Sequence, residues 1–350
     1  MTATGVSDAA PGGSTGDNTG VSRKSAGPWR VALRKLMRDR TAIICGLGLA
    51  LIVLCCVLAP QYAQWVGVDP FRSGLDATVT LNGVEVPVMQ PETGGLGIGV
   101  TPIGPTWHPG PYMLGADDSG RDVMARMLYG GRNSLFISFW ATIVSLVIGS
   151  TIGLLAGLLG GMTDAILSRF LDIVWAFPVY LLAISLSIIL VGQGISFGPI
   201  DIKADSLWLP IMIIGLVYIP YVALPVRGQV LALRQSDYVA AVIGIGASTG
   251  RILVVDILPN VLSSLIVMAP ILMALNMLTE SALSFLSIGV QAPDASWGTI
   301  IEDGQQMLYT RPAISIAPGI AVSLCILMLN LLGDSVRDAL DPKSKVKHKA

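Results

Sequence analysis

Few side chains in this 350-residue chain could do chemistry, and they lie far apart. His108 and His348 have no carboxylate or cysteine neighbour at ligand spacing, so neither a zinc site nor an imidazole base is indicated. Cys45, Cys55, Cys56 and Cys325 fall inside apolar runs without the spacing of a metal site or a disulfide framework. There is no GxxxxGK[ST] phosphate cradle and no Ser-His-Asp or Cys-His grouping in a credible context. The expectation is therefore a non-enzyme with no catalytic residue, no metal and no cofactor of its own. What remains are polar groups where they are costly: Glu280, Asn276, Arg169 and Asp172, within or beside long apolar runs. An intramembrane carboxylate is a functional candidate by default, but hydrogen bonding of Glu280 to Ser281 or Ser284 ranks ahead of solute contact. Arg169 and Asp172, one turn apart, are expected to form a structural ion pair.

The other interruption is DYVAAVIGIGASTGRILVVDILPN at 237–260, which carries Asp237, Arg251 and Asp256 amid oily segments. It reads as a short helix capped by Ser236 or Asp237, a turn at Gly246, and a second short helix stopped at Pro259. Small residues Ala240, Ala241 and Gly244 permit close approach by another surface. A helix-turn-helix knob of this kind transmits rigid-body motion better than a flexible loop.

The elements that position these residues are membrane spans. The chain is 53% hydrophobic and 13% charged, which marks a polytopic membrane protein. A net charge of −1 gives no basic surface for nucleic acid. A bilayer core of about 30 Å needs about 20 helical residues, and stretches of that kind occur at 41–59, 133–163, 173–200, 206–226, 257–279 (continuing past Glu280 towards Leu286) and 312–333. Six spans put both termini on one side. Arg23, Lys24, Arg30, Arg34, Lys35, Arg38 and Arg40 before the first span, and Arg337, Lys343, Lys345, Lys347 and Lys349 after the last, make that side cytoplasmic.

The expected organisation is a disordered cytoplasmic tail at 1–28, an interfacial amphipathic helix at 29–40, a first transmembrane helix at 41–60, an extracytoplasmic segment at 61–132, a core of five transmembrane helices at 133–335 with a loop at 234–259, and a basic tail at 336–350. In the outer segment, TVTLNGVEVPV alternates around Asn82 and Gly83 as a β-hairpin would, and Pro102, Pro105, Pro109 and Pro111 favour an extended path. This segment either touches an extracytoplasmic partner or packs as a lid on the protein's own outer face. Asp118 or Ser119 is expected to cap a helix from Arg121 to Tyr129, with Asp122 and Arg126 paired on one face and Gly130 and Gly131 ending it.

The 237–260 stretch resembles the EAA loop of ATP-binding-cassette (ABC) importer permeases. Residues 240–242 occupy the EAA position, Gly246 matches the Gly, and Leu258 with Pro259 match the Leu-Pro ending; Ala240 replaces the family Glu and Asp256 stands at a usually aliphatic position. Through LGADDSGRDVMARMLYGGRNS, RFLDIVWAFP, TESALSFLSIGVQAPDASWG and LLGDSVRDALDP, the chain from Trp29 to Lys343 is similar to the C-type permease subunit of dipeptide, oligopeptide and nickel importers. The resemblance implies an all-α, six-helix type I importer fold in the bacterial plasma membrane; the small extracytoplasmic hairpin read above makes the outer segment longer than that of the family core. It implies as partners a second homologous permease, two ABC ATPase subunits holding ATP and Mg, an extracytoplasmic substrate-binding protein and the lipid bilayer. Coupling to the ATPases would run through Tyr238, Ala240, Ala241, Gly244, Gly246, Ala247, Ser248, Arg251, Leu258 and Pro259. The alternatives are a permease for nickel or another solute, an ion-coupled secondary transporter, and a non-transporting membrane scaffold.

Overall fold

The computed structural model of the chain describes residues 28–81, 83–91, 99–197 and 200–340. The expected tail at 1–27, Arg23, Lys24, the turn residue Asn82, His348 and the lysines after 341 lie outside the described residues. The chain enters through α1 (Pro28–Leu36), which rests against the final helix. The amphipathic helix expected to reach 40 stops earlier, because Asp39 takes the capping role: its Oδ1 accepts a hydrogen bond from Thr41 N at 3.0 Å and opens α2 (Arg40–Val57). A short α3 (Ala59–Val66), with Pro60 in its first turn, carries the chain on to a left-handed Gly67.

Beyond α3, β1 (Thr78–Leu81) pairs antiparallel with β2 (Val84–Pro87), Val79 facing Val86, with Gly83 at φ 81° in the connection. A second ladder joins β3 (Met89–Pro91) to β4 (Val100–Pro102), where only an extended Pro-rich path was expected. Val79, Val88, Ile103, Tyr112 and Ala116 form a small core of their own.

Helix α4 (Val123–Leu159) then runs 37 residues without interruption, so Gly130 and Gly131 do not end it. They serve close packing instead: a Cβ on Gly131 would lie 2.6 Å from both Cys56 Sγ and the Trp297 ring, and one on Gly130 would lie 3.0 Å from the Ser296 backbone. The cap is Asp122, not Asp118 or Ser119. Its Oδ1 accepts from Ala125 N at 2.8 Å and its Oδ2 from Tyr112 N at 2.5 Å, which removes it from any pairing with Arg126.

Helices α5 (Gly161–Ala176) and α6 (Val179–Val191) meet at 89°, and a strand pair, β5 (Ile195–Phe197) with β6 (Ile200–Ile202), leads to α7 (Trp208–Val217) and α8 (Ile219–Arg234), which meet at 40°. The chain continues through α9 (Asp237–Gly244), α10 (Thr249–Arg251), α11 (Leu258–Phe285), α12 (Trp297–Asp303) and α13 (Ala313–Leu340). By length and composition, four helical runs among the described residues can cross a membrane, at Arg40–Val57, Val123–Leu159, Thr249–Phe285 and Ala313–Leu340; counting each bent pair as one span raises this to six.

The centre of the structure is the contact of α4 with α8. Gly149, Gly153 and Gly157 on α4 face Val222, Val226 and Val230 on α8 in the same order, so the two helices run parallel with their backbones close. One turn further out, Gly215 meets Val144, and Ser145 Oγ donates to the Gly215 carbonyl at 2.7 Å. A side chain on this seam has nowhere to go, since a Cβ on Gly153 would lie 2.6 Å from the Ala223 carbonyl oxygen and 2.9 Å from Val226. Gly153→Leu is therefore expected to cost about 1–3 kcal/mol of stability through overpacking, read as a lower melting temperature in detergent. Gly228→Leu, on the same helix pair but with no atom within 4 Å of the added Cβ, should leave it unchanged or higher.

Candidate coupling site

The 237–260 knob is built from the end of α8. Ser236 occupies the N-cap backbone conformation, but its hydroxyl donates back to the Leu233 carbonyl at 2.5 Å, and neither it nor Asp237 makes the expected side-chain cap. Helix α9 closes with Gly246 at φ 82°, which allows Ile245 N to return to Ala241 O at 3.2 Å and Ala247 N to Val242 O at 3.3 Å. Ser248 then opens α10.

The second helix does not stop at Pro259. The backbone stays helical from Thr249 to Phe285, with a widened π stretch at Ile252–Ile257 just before the proline. Pro259 lacks an N–H and its ring crowds the carbonyl four residues earlier; a wider turn accommodates both without breaking the helix. The Asp256 carbonyl takes a donor from the Asn260 side chain at 2.8 Å.

The two faces of the knob differ. Val239, Ile252 and Ile257 are buried in the same core as Val230 and Val261, with Val242, Ala247 and Leu253 packed around them. Outward lie Tyr238, Ala240, Ala241, Gly244, Gly246, Ser248 and Arg251, together with Ile243, Val254, Val255 and Ile245, the last 79% exposed. Of the residues singled out from sequence, Ala247 and Leu258 turn partly inward, while Pro259 is exposed but sits inside a continuous helix.

Further along the same helical run, Glu280 is 1% exposed. Ser284 Oγ donates to its Oε1 at 2.8 Å and Ser281 Oγ approaches Oε2 at 3.5 Å, with the Ser134 and Ser296 hydroxyls also facing it. Ser134 in turn accepts from Trp297 N at 3.1 Å, and Ser296 caps α12 reciprocally with Thr299, so the carboxyl ties α4, α11 and α12 together. One turn earlier on α11, Asn276 Nδ2 donates to Thr142 Oγ1 at 2.9 Å, and Thr279, next to Glu280, meets the Tyr218 hydroxyl at 2.9 Å.

Arg169 and Asp172 form the ion pair expected of them, but loosely and at the surface. Their closest approach is 3.9 Å with side chains 85% and 57% exposed, and exposed pairs contribute little. The ion pair that joins helices here is Arg227 with Asp164, bidentate at 2.5 and 2.7 Å. Sequence spacing hid it, since the partners are 63 residues apart; the available signal was Arg227 as the lone charge between Asp205 and Arg234.

At the opposite end, Arg126 bonds Asp117 and reaches Asp303 at 2.9 Å, and Arg121 reaches the same two carboxylates at 2.7 and 3.4 Å. Burial pushes the Asp303 carboxyl above its ordinary value while the Arg126 and Arg121 guanidinium groups pull it back. Removing Arg126 leaves Asp117 its bonds to Arg121 and to the Ser119 and Arg121 amides but breaks the buried link to α4, so Arg126→Met should cost about 1–3 kcal/mol in thermal unfolding, well above Arg169→Met. Glu280→Gln keeps the volume but replaces an acceptor with a donor among hydroxyls. It should lower the yield of assembled complex and its melting temperature, while leaving the ranking of transported solutes unchanged in competition uptake.

These features sit in a chain whose residues 149–346 match the profile of the binding-protein-dependent transport system inner membrane component. The chain belongs to this family. Residues 27–71 match a second profile, the N-terminal TM domain of oligopeptide transport permease C. The dipeptide transport system permease protein DppC of Alkalihalophilus pseudofirmus is 32% identical over 91% of both chains. The oligopeptide permease OppC of Bacillus subtilis is 31% identical over 94% of both chains. The glutathione permease GsiD of Pectobacterium atrosepticum is 31% identical over 91% of this chain and 92% of its own. Among solved structures, a chain of the MetNI methionine ABC transporter in inward-facing conformations superposes with a TM-score of 0.50 at 18% identity, covering 62% of this chain and 97% of that one. The permease therefore shares the ABC importer fold, and the two profile matches bracket the stretch at 72–148 that holds β1 to β4 and the first part of α4.

Proposed function

We propose that this permease is a membrane-spanning subunit of an ATP-driven importer of di- or oligopeptides, forming half of the translocation pore. Relatives named as dipeptide and oligopeptide permeases align over nine-tenths of the chain, which supports that substrate class. Its partners on this reading are a second homologous permease, two ABC ATPase subunits that hold ATP and Mg, and an extracytoplasmic binding protein. The chain makes six crossings of the bacterial plasma membrane with both termini and the 237–260 knob in the cytoplasm, and the β1 to β4 segment outside.

The observation that carries this reading is the union of an open apolar knob with one long helical run. Residues from Tyr238 to Arg251 offer Ile243 and Ile245 to a partner, and the chain from Thr249 to Phe285 is one helical body. Movement of ATPase subunits gripping the knob would be delivered along α11 to the Glu280 cluster and α12. Ala240 stands where the family has Glu, so on this reading shape and apolar area hold the contact.

Reconstitution tests this directly. The chain with its partner permease, ATPases and binding protein in proteoliposomes should import peptide only with ATP, and the chain alone should import none. Ion-driven uptake by the lone chain would establish the secondary-transporter alternative, and a stable complex that moves no solute would establish a scaffold. Gly246→Val tests the knob: a non-glycine residue at φ 82° costs about 1–2 kcal/mol, roughly tenfold in any equilibrium that needs the turn. ATP hydrolysis should persist while peptide uptake falls by about that factor; unimpaired uptake would remove Gly246 from coupling.

A further inference from the structure

Both bent helix pairs break at the same place. Helix α5 ends at Ala176 and α6 begins at Val179, with Phe177 and Pro178 between them; α7 ends at Val217 and α8 begins at Ile219, with Pro220 in its first turn. Trp175, Phe177 and Pro178 from one break and Pro220 and Tyr221 from the other line a single cavity of about 250 Å³. Trp175 and Tyr221 have ring centroids 4.6 Å apart, and Tyr221 lies 5.2 Å from Tyr218.

The depth of this junction follows from helix lengths. Helix α7 supplies ten residues above Tyr218 and α6 thirteen above Pro178, or about 15 and 20 Å at 1.5 Å per residue. Both counts place the breaks near the middle of a core about 30 Å thick, whichever way the chain is oriented. At that depth irregular backbone is tolerated only where it is buried in protein or lines water, because hydrocarbon leaves its polar groups unsatisfied. Here the α5 end is open: Trp175 is 49% and Phe177 54% exposed. The Phe177 amide makes only a 3.4 Å bond to Val174 O, and Pro178 has no amide to give.

We infer that the paired breaks at Trp175–Pro178 and Tyr218–Tyr221 line the aqueous translocation path, with Trp175, Phe177 and Tyr221 as the surfaces that a passing peptide touches. Freed carbonyls at the α5 end accept from peptide amides, the Tyr221 hydroxyl offers a donor, and the rings take apolar side chains. Discontinuous helices at mid-membrane are a recurrent construction for solute sites in transporters. The assignment deepens the permease function proposed above and rests on it.

The test uses the full complex in proteoliposomes, with Cys45, Cys55, Cys56 and Cys325 replaced by alanine and ATP-driven uptake retained. Phe177→Cys is compared with Leu47→Cys, on the exposed face of the unbroken α2. A charged methanethiosulfonate reagent should modify position 177 at least about tenfold faster than position 47, since only the former meets water, and the rate should change between nucleotide-free and ATP-vanadate-trapped complex. Modification as slow as at position 47 in both states, or fast but identical in both, overturns the assignment. With native cysteines in place, Trp175→Leu at unchanged complex yield should raise the KM for the imported peptide; unaltered KM counts against it. Peptide uptake with position 177 unreactive would leave the importer function standing and remove the path. State-dependent reactivity without peptide uptake would do the reverse.

Discussion

A backbone N–H or C=O in hydrocarbon has no water to bond, and this constraint governs the protein more than any single side chain does. It explains why 37-residue helical runs occur at Val123–Leu159 and Thr249–Phe285. It also explains how polar residues are carried within them. Thr142 donates to Ser138 O at 2.7 Å, Thr151 to Val147 O at 2.7 Å and Ser323 to Gly319 O at 2.8 Å, each hydroxyl folding back on its own helix. Prolines obey the same requirement in different ways. Pro225, Pro270 and Pro318 sit inside unbroken helices, Pro259 follows a widened turn, and Pro178 alone among these stands between two helices at a right angle.

Glycine does two opposite things in this framework. At Gly149, Gly153 and Gly157 the backbone is ordinary helix and the missing side chain is what matters, since each Cβ would strike α8 within 3 Å. At Gly246 the surroundings are empty and the backbone angle matters, since φ is 82° and no atom lies within 4 Å of the position a Cβ would take. The first kind holds the helices at a fixed separation, and the second reverses the chain between α9 and α10. A composition count cannot separate them, because both read as glycine amid aliphatic residues.

That ambiguity marks the limit of what was legible in the sequence. Long apolar runs predicted the long helices, and the small residues with Gly246 predicted the knob, because hydrophobicity and positive φ are local properties. The same local logic failed at Gly130 and Gly131, assigned to a helix end when their neighbours are Trp297 and Ser296, some 160 residues away in sequence. It failed at Asp122, where helical spacing offered Arg126 but the free amides of the α4 start and Tyr112 claimed the carboxylate. It found the exposed Arg169–Asp172 pair, one turn apart, but missed Arg227 and Asp164, which meet across helices. For Glu280 the neighbouring serines were visible four residues away, and that assignment agrees with the geometry.

These contacts divide the molecule into parts that move as one and parts that need not. The knob is fixed to the core through Val239, Ile252 and Ile257. The helix that leaves it reaches Glu280, whose serine ring holds α12, and α12 in turn carries Asp303 to Arg126 at the head of α4. From one face of the protein to the other, every link in that series is a helix or a buried polar bond. The bent pairs are different, since α5 meets α6, and α7 meets α8, without a continuous backbone ladder, and an aromatic-lined cavity fills the junction. A packed core resists gradual deformation and shifts between discrete arrangements, so displacement entering at the knob is accommodated most cheaply where the ladder is already broken. On the proposed coupling, a push on this interruption of hydrophobicity would be felt at a distance, at the two places where the helices are interrupted.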